Sequence, residues 1–544
     1  MRTPLLMSRL LERGARLAPQ EEIVTAFPSR MHRQTYADTR RRASQLAHAL
    51  TGLDVHIGDR VGTLMWNNHR HQEAFYGVPS MGAVLHSLNL RLPPHELEYT
   101  IQHAEDKVLL VDADLLPLLA PLKGKLSSVE HIIVAAGPAT GPHGFHGALD
   151  WEELIADQPT RFDWPELDEH APMGLCYTSG TTGNPKGVMY THRSTYLHTM
   201  AQAMTDAVGL SATDTVLQVV PLFHVLGWGY PYTASMLGSR QILTHGHVDA
   251  ELMLDLIEKE EVTFSAGVPT VWQAVRAAIE AQPDRWKLSS FKRINCGASA
   301  PAPSLIRWYW DHLGVEMIQT WGMTETNPLG VTSRRLAKRK HLFLNLDEQF
   351  ANVAKTGLPL PGVELEIVDD AGKPLPHDGK TPGNLLIRGP WVCAEYYQNS
   401  QTEAFQDGWL HTGDIAKIDA DEYLIISDRS KDLIKSGGEW ISSIDMENHI
   451  LALLGVARVA VVAQAHPKWE QRPVALVVCA PGATLTAAEV IRHCATRFAK
   501  WQLPDDVLFV PELALNSTGK LDKKTIRANL AATGYQLPGL RNVG

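Results

Sequence analysis

Cysteine is scarce in this chain: five in 544 residues, none in a C-x-x-C pair or in a cysteine/histidine pair at zinc spacing. Cys176, Cys296, Cys393, Cys479 and Cys494 are an odd set, which argues against a disulfide-framed secreted scaffold and suits unpaired thiols in a reducing cytoplasm. Long hydrophobic runs are missing as well. No stretch reaches the roughly 18 uninterrupted apolar residues of a membrane span, and the N-terminal MRTPLLMSRLLERGARLAP is cut by Arg9, Arg13 and Arg16, so it lacks the apolar core of a signal peptide. Positive charge is in deficit. Fifty Lys and Arg against sixty Asp and Glu give a net charge of −10, so no global field can hold nucleic acid or an anionic membrane. Any polyanion must be met at a local site. Repeats and low-complexity tracts are absent, and the 24 histidines show no H-x-x-x-H or HExxH zinc spacing.

What the chain has is length and ordinary globular composition. It exceeds the roughly 250–300 residues at which single cores stop growing, so at least two domains are expected. With 44% apolar and 20% charged residues it has ample material for a large core. KVLLVDAD (107–114), HIIVAAG (131–137) and VTFSAGVP (262–269) read as buried strands between helix-like stretches, the α/β signature of largely parallel sheets. From about 360 the texture shortens: VELEIVDD (363–370), GNLLIRG (383–389) and EYLIISD (422–428) predict a small β-rich subdomain. After 428–438 the pattern changes again. Ser442 reads as an N-cap, GVARVAVVAQ (455–464) and PVALVVCA (473–480) as strands, and Thr486-x-x-Glu489 as a capping box opening a helix to about Lys500.

The segment YTSGTTGNPKGVMYTHR (177–193) carries the most chemistry. Its glycines, hydroxyl side chains and single lysine follow a short apolar lead-in, so backbone amides and hydroxyls could wrap a polyphosphate. It is not a Walker A loop, because Lys186 follows Gly183-Asn184-Pro185. As bare composition it fits a flexible surface turn equally well.

The string itself resembles the phosphate-loop signature of the adenylate-forming superfamily of acyl-CoA synthetases, luciferases and peptide-synthetase adenylation domains. Further segments resemble the family's later motifs in order: WGMTET (321–326), WLHTGD (409–414), ISDRSKDLIKSGGEWIS (426–442) and NSTGKLDKK (516–524). PLFHVLGWGYPY (221–232), VTFSAGVPTVW (262–272) and KSGGEWISSIDMEN (435–448) look most like the medium- and long-chain fatty acyl-CoA synthetase clade, which also holds ligases for short or thioether acids.

The resemblance implies an α/β fold: a large N-terminal domain (1–430) of two α/β sheet subdomains plus a β-rich subdomain (about 355–430), then a small mobile α+β lid (431–544) hinged at Lys431. It implies ATP, Mg²⁺ and coenzyme A as cofactors and a small carboxylic acid as substrate; the charge deficit predicts no nucleic-acid partner, the cysteine pattern a cytoplasmic location, and a homodimer is left open. Ser179, Thr181, Thr182, Gly183 and Lys186 would hold the β- and γ-phosphates, Thr324 the α-phosphate and Glu325 the metal. Gly297, Ala298, Ser299, Trp321 and Gly322 would wall the adenine slot, with Asp414 and Arg429 at the ribose. Lys520 would bridge carboxylate and α-phosphate in the first half-reaction; Lys435, Gly437, Gly438, Glu439 and Trp440 would line the pantetheine tunnel in the second. His224 would lie beside the acid carboxylate and Trp228 would gate the acid tunnel. Their spacing of four predicts one face of a helical turn.

Each motif has a plain alternative: a Thr-Glu helix start, a T-G-D turn, one more solvated lysine, a satisfied core histidine. Departures from the clade stand at Asn295-Cys296, beside the acid and adenine pockets, and at Asn384; Asn295 could face either a substrate or a neighbouring strand. The expected activity is an AMP-forming acid–thiol ligase. The alternatives are an adenylating enzyme with another acceptor or oxyacid, such as a nitrite-using diazotase or an amide ligase, and a non-catalytic nucleotide sensor. Intact Glu325, Asp414, Lys435 and Lys520 argue against the sensor.

Overall fold

The predicted β-branched runs become strands of two largely parallel sheets in the computed structural model, which describes residues 3–135, 145, 147–178, 184–399, 402–429, 431–436, 439–516 and 520–538. A nine-stranded sheet has a parallel centre in the order Glu316–Gly322, Arg293–Cys296, Phe264–Gly267, Thr215–Gln218, Arg240–Thr244, Glu22–Phe27. Antiparallel strands flank it, Leu329–Ser333 and Leu358–Pro359 on one side and Arg30–Thr35 on the other. A seven-stranded sheet runs parallel from Leu149–Asp150 through His131–Ala135, Asp106–Asp112, Arg60–Leu64 and Val84–Ser87 to Pro172–Tyr177, then closes with antiparallel Gly187–Thr191. Central strands covered on both faces need unbroken apolar runs, and Val108–Val111 is buried throughout.

Helices fasten the two sheets together. Leu10, Leu46, Phe75 and Tyr232 share one core, drawn from the helices Met7–Leu17, Tyr36–Gly52, His69–Ser80 and Tyr230–Leu237. Within it the Tyr76 hydroxyl donates to the Pro231 carbonyl at 2.7 Å, and in a neighbouring small cluster the Tyr36 hydroxyl donates to the Ser239 carbonyl at 2.6 Å, so both buried phenols are satisfied.

The short strands after 360 form the expected β-rich unit, an antiparallel five-stranded sheet of Glu364–Val368, Gly383–Arg388, Trp409–Ile418, Phe405–Gln406 and Leu424–Arg429. Its inner face, Ile367, Leu385, Ala416, Ile418 and Leu424, packs on Val331 of the nine-stranded sheet. The C-terminal unit is a second five-stranded sheet, in which Val456–His466 and Glu470–Cys479 pair antiparallel and Asp506–Phe509 joins in parallel. Ser442 caps the helix Ser443–Leu451, and Thr486 with Glu489 forms the predicted capping box. That second helix stops at Cys494 rather than about Lys500. The Phe498 amide closes back on the Cys494 carbonyl at 2.9 Å, and the chain turns there to pack Phe498 into the small core.

All five cysteines are free thiols. Among the described residues no helix is long and apolar enough to cross a membrane.

One buried cation organises the C-terminal sheet. Arg472, on the long strand, bridges Asp505 at 2.6 Å, the Leu503 carbonyl at 2.9 Å and the Ser436 hydroxyl at 2.9 Å. Removing it leaves a carboxylate and a carbonyl without their donor. Arg472→Ala should lower stability by about 2–4 kcal/mol, read as a reduced denaturant midpoint with an unchanged slope.

Candidate active site

A cavity of ≈660 Å³ opens where the edges of the two large sheets, the β-rich unit and the C-terminal unit meet. Its walls include Lys186, His224, Trp228, Glu325, Asp414 and Lys520, which lie 334 residues apart at the extremes of the sequence and converge only in the fold.

The hairpin Pro172–Tyr177/Gly187–Thr191 holds the base of the glycine/threonine segment. The Thr178 amide donates to the Lys186 carbonyl at 2.9 Å, which pins both ends of the loop. Ser179, Thr181, Thr182 and Gly183 lie outside the described residues. The Lys186 ammonium stands 4.7 Å from the centre of the Tyr396 ring.

Thr324 and Glu325 form a single 3₁₀ turn, Thr324–Thr326, after the strand Glu316–Gly322. The Tyr190 hydroxyl donates to the Thr324 carbonyl at 2.7 Å, and the Tyr396 hydroxyl to Glu325 Oε1 at 2.7 Å. Gly322 is required by contact, because a Cβ there would sit 1.8 Å from the Pro328 carbonyl oxygen. Gly297, Ala298 and Ser299 leave the neighbouring strand; a Cβ on Gly297 would meet the Thr320 hydroxyl at 2.6 Å and the Trp228 ring at 3.2 Å.

Asp414 and Arg429 face each other across paired strands, Arg429 Nε to Asp414 Oδ1 at 2.8 Å, while the Trp321 indole donates to Asp414 Oδ2 at 3.1 Å. Asp414 is buried, and loss of solvation holds its carboxyl above the usual range against the opposing pull of Arg429, Trp321 and Lys520.

Lys520 closes the cavity from the C-terminal unit. Its amide donates to Asn516 Oδ1 at 3.0 Å and its carbonyl accepts from the Asn516 amide at 2.8 Å, so two bonds to one residue hold its backbone. The residue as a whole keeps some solvent contact, but protein surrounds its ammonium. That loss of solvation, with Arg429 nearby, pulls the pKa from 10.5 to about 8 in spite of Asp414 and Glu325. His224 is held at about 3 by lost solvation first and by Lys520 and Arg91 second, so its imidazole is neutral at physiological pH.

The expectation of a helical turn at His224 and Trp228 is corrected. Val225, Leu226, Gly227 and Trp228 have φ of 38°, 42°, 61° and 55°, a left-handed run that no spacing rule for right-handed helices describes. Both side chains nevertheless line the cavity. Asn295 is resolved toward its neighbours: it accepts from the Thr320 hydroxyl at 2.7 Å and donates to the Tyr230 hydroxyl, a closed polar chain in the cavity wall.

Lys435, Glu439 and Trp440 stand apart from the cavity. Lys435 pairs with Glu470 at 3.3 Å and Trp440 is 49% exposed, so this strip lies on another face of the C-terminal unit from Lys520. Gly437 and Gly438 lie outside the described residues. Lys431 borders the cavity between the strands Leu424–Arg429 and Ile434–Ser436.

Two wall residues had no motif to announce them. Tyr396 sits in a loop without spacing signals. Gln319, two residues before Trp321, is buried with an Oε1 that finds no partner among the described residues. One group of metal-capable side chains, Asp112, Asp114 and His245, lies outside the cavity; Asp112 Oδ2 there already accepts from the Trp66 amide and Asn68 at 2.8 Å each.

A family model for AMP-binding enzymes matches residues 11–397, and one for the AMP-binding enzyme C-terminal domain matches 445–520. The chain belongs to the AMP-binding enzyme family. It is 44% identical to a 3-methylmercaptopropionyl-CoA ligase of Ruegeria lacuscaerulensis and 42% identical to a medium-chain-fatty-acid–CoA ligase of Ectopseudomonas oleovorans. The first alignment covers 97% of both chains, the second 97% of this chain and 96% of the relative. Among solved structures, an anthranilate CoA ligase in complex with anthranoyl-AMP superposes with a TM-score of 0.88 at 28% identity, over 98% of this chain and 99% of that one.

Within this member of the family, a lysine whose ammonium gives up its proton near pH 8 is distinguishable in solution. Amine acetylation followed residue by residue by mass spectrometry should rise at Lys520 as pH passes about 8, earlier than the ordinary lysine value of 10.5. Filling the site with a nucleotide should suppress it.

Proposed function

We propose that the protein is an AMP-forming carboxylate–CoA ligase: the acid attacks ATP to give acyl-adenylate and pyrophosphate, and coenzyme A then displaces AMP. The observation that carries this reading is the placement of Lys520, from one unit, in the same chamber as Asp414, Glu325 and His224 from another.

The residues divide the work by charge. ATP and the acid together bring about five negative charges into one chamber, and a unit pair at 4 Å is worth about 4 kcal/mol at an effective dielectric near 20. Lys186 and the loop amides beside it take the outer phosphates. Lys520 bridges an acid oxygen and an α-phosphate oxygen, where charge builds as the new O–P bond forms and the bond to the leaving pyrophosphate breaks. Neutral His224 orients the acid without competing for its charge. Asp414 accepts from both ribose hydroxyls, Trp321 and the Gly297–Ser299 backbone enclose the base, and Gln319 offers the exocyclic amine an acceptor. Glu325 suits Mg²⁺: Tyr396 occupies Oε1 alone, so the carboxylate keeps Oε2 as a hard oxygen donor beside the phosphates. The metal, when bound, would neutralise phosphate charge.

No side chain need act as a nucleophile in either step, so positioning and charge stabilisation account for the rate. For the second step the C-terminal unit turns about Lys431, withdrawing Lys520 and presenting the strip Lys435–Trp440. The coenzyme A thiol loses its proton, attacks the acyl carbon, and AMP leaves. Acids of the kinds named for the relatives, short thioether and medium-chain, are the first to test.

A pyrophosphate-release screen over short, thioether, medium-chain and aromatic acids, with and without coenzyme A, tests the reading. Release with at least one acid, and a thioester product only when coenzyme A is present, is expected; ATP binding with no release for any acid sinks it. Lys520→Ala should cut adenylate formation by about 10²–10³-fold, the range seen for a lost charge-stabilising donor, while thioester formation from supplied acyl-AMP changes little. Equal losses in both half-reactions contradict the rotation.

The pH dependence has a defined sign. Lys520 acts as an ammonium, and its proton leaves free enzyme near pH 8, so kcat/KM for adenylation should fall as pH rises through about 8. Bound phosphates favour the ammonium, so the limb in kcat lies higher. A kcat/KM that stays flat to pH 9.5 would remove Lys520 from this role.

A further inference from the structure

The segment Trp391–Asn399 belongs to none of the sheets, yet it touches both halves of the phosphate end of the cavity. The Cys393 amide donates to the Glu325 carbonyl at 2.8 Å, and the Tyr396 hydroxyl donates to that residue's Oε1 at 2.7 Å. One residue further on, the Tyr397 amide donates to the Gly187 carbonyl at 2.8 Å, next to Lys186, whose ammonium stands 4.7 Å from the Tyr396 ring centre. Upstream, the Trp391 indole anchors the segment to the Leu329 carbonyl at 2.9 Å. Lys186 stands just before a strand of the seven-stranded sheet and Glu325 in the turn that follows a strand of the nine-stranded one.

We propose that Tyr396 is a positioning residue that sets the Glu325 carboxylate and the Lys186 ammonium against each other for Mg-nucleotide binding, with Cys393–Tyr397 as the strap that locks the two sheets at that distance. The inference rests on the ligase reading for the ligand only; the strap's contacts are independent of it. The phenol does two things at once. Its hydroxyl takes one carboxylate oxygen and fixes the rotamer, leaving the other for a cation, and its ring face seats the ammonium without neutralising it, as a carboxylate would. Burial and the neighbouring Glu325 charge push the phenol far above its usual pKa, so it remains a donor at any working pH. Tyr396 is 7% exposed, its ring packed edge-on against Phe405, so it has no room to swing aside.

Two variants separate the two functions. Tyr396→Phe keeps the ring and loses the hydroxyl; Tyr396→Leu loses both. Calorimetric titration of ATP into full-length protein, with acid and coenzyme A absent, is run across a Mg²⁺ series and without Mg²⁺. For Tyr396→Phe the Mg²⁺ concentration giving half-maximal tight binding should rise about tenfold, the scale of one hydrogen bond to a charged group, while Mg²⁺-free ATP affinity stays within about twofold. For Tyr396→Leu, Mg²⁺-free affinity should also weaken, by about fivefold, because Lys186 loses its seat. In turnover, KM for Mg-ATP should rise with KM for the acid unchanged. Tyr396→Phe with an unaltered Mg²⁺ dependence overturns the proposal, and so does a uniform loss of affinity for all ligands alongside a lowered melting temperature. Should no acid yield pyrophosphate, the ligase reading fails while the binding experiment still reports on Tyr396.

Discussion

The contact on which the site depends is the buried carboxylate of Asp414 between the Arg429 guanidinium and the Trp321 indole. A carboxylate cannot be buried without donors, and the two it finds come from different units: Arg429 from its own sheet and Trp321 from the large one. The pair therefore fixes the β-rich unit against the nine-stranded sheet at the rim of the cavity. It also sets the local potential, because Arg429 is paired with Asp414 while Lys186 and the lysine brought in from the C-terminal unit have no carboxylate ion pair among the described residues. Lost solvation first, and the nearby Arg429 guanidinium second, lower the Lys520 pKa against the opposing pull of Asp414 and Glu325.

This arrangement explains how an acidic chain of net charge −10 can handle polyphosphate. Positive charge is concentrated at a few points inside a partly enclosed cavity, where the effective dielectric is lower and each charge counts for more than on the surface. Lys186 is held by a hairpin and a ring face, Arg429 by a strand pair, Lys520 by two hydrogen bonds to Asn516. Only the last is carried by a unit whose attachment to the rest runs through the short stretch around Lys431. That unit is also tied by Asp428, whose carboxylate accepts from the Ser443 amide at 2.7 Å, a contact just beside the connecting stretch.

Strands were readable because a doubly covered sheet demands continuous apolar runs, and Val108–Val111 and Val474–Val477 obey that demand. Caps were readable because Ser442 and Thr486 satisfy orphan amides through local chemistry. The candidate site was legible where a motif carries its own residues, as at Lys186, Thr324-Glu325, Asp414 and Lys520, all of which reach one cavity. It was illegible where function comes from tertiary convergence. Tyr396 has no neighbours in sequence that mark it, Gln319 is one polar residue in a strand, and the direction of Asn295 was decided by Tyr230 and Thr320 from other elements. The end of the helix after Thr486 depended on where Phe498 found its core, which propensity alone does not specify.

The left-handed run at Val225–Trp228 bears on which part of the cavity wall can be remodelled. Left-handed backbone costs a non-glycine residue about 1–2 kcal/mol, more for a β-branched one, and three such residues occupy consecutive turn positions around Gly227. Packing must hold this wall in place: the Gln218 amide donates to the Gly227 carbonyl at 3.2 Å, and Gln202 to that of Trp228 at 2.9 Å. A wall so over-determined tolerates few replacements, since a bulkier or stiffer residue loads further conformational cost onto a stretch already near its limit. Another part of the wall, Val268, Pro269, Thr270 and Gln273 at the start of an ordinary right-handed helix, carries no such cost. The shape of the cavity should therefore be easier to alter by substitutions on the helix side than on the Trp228 side.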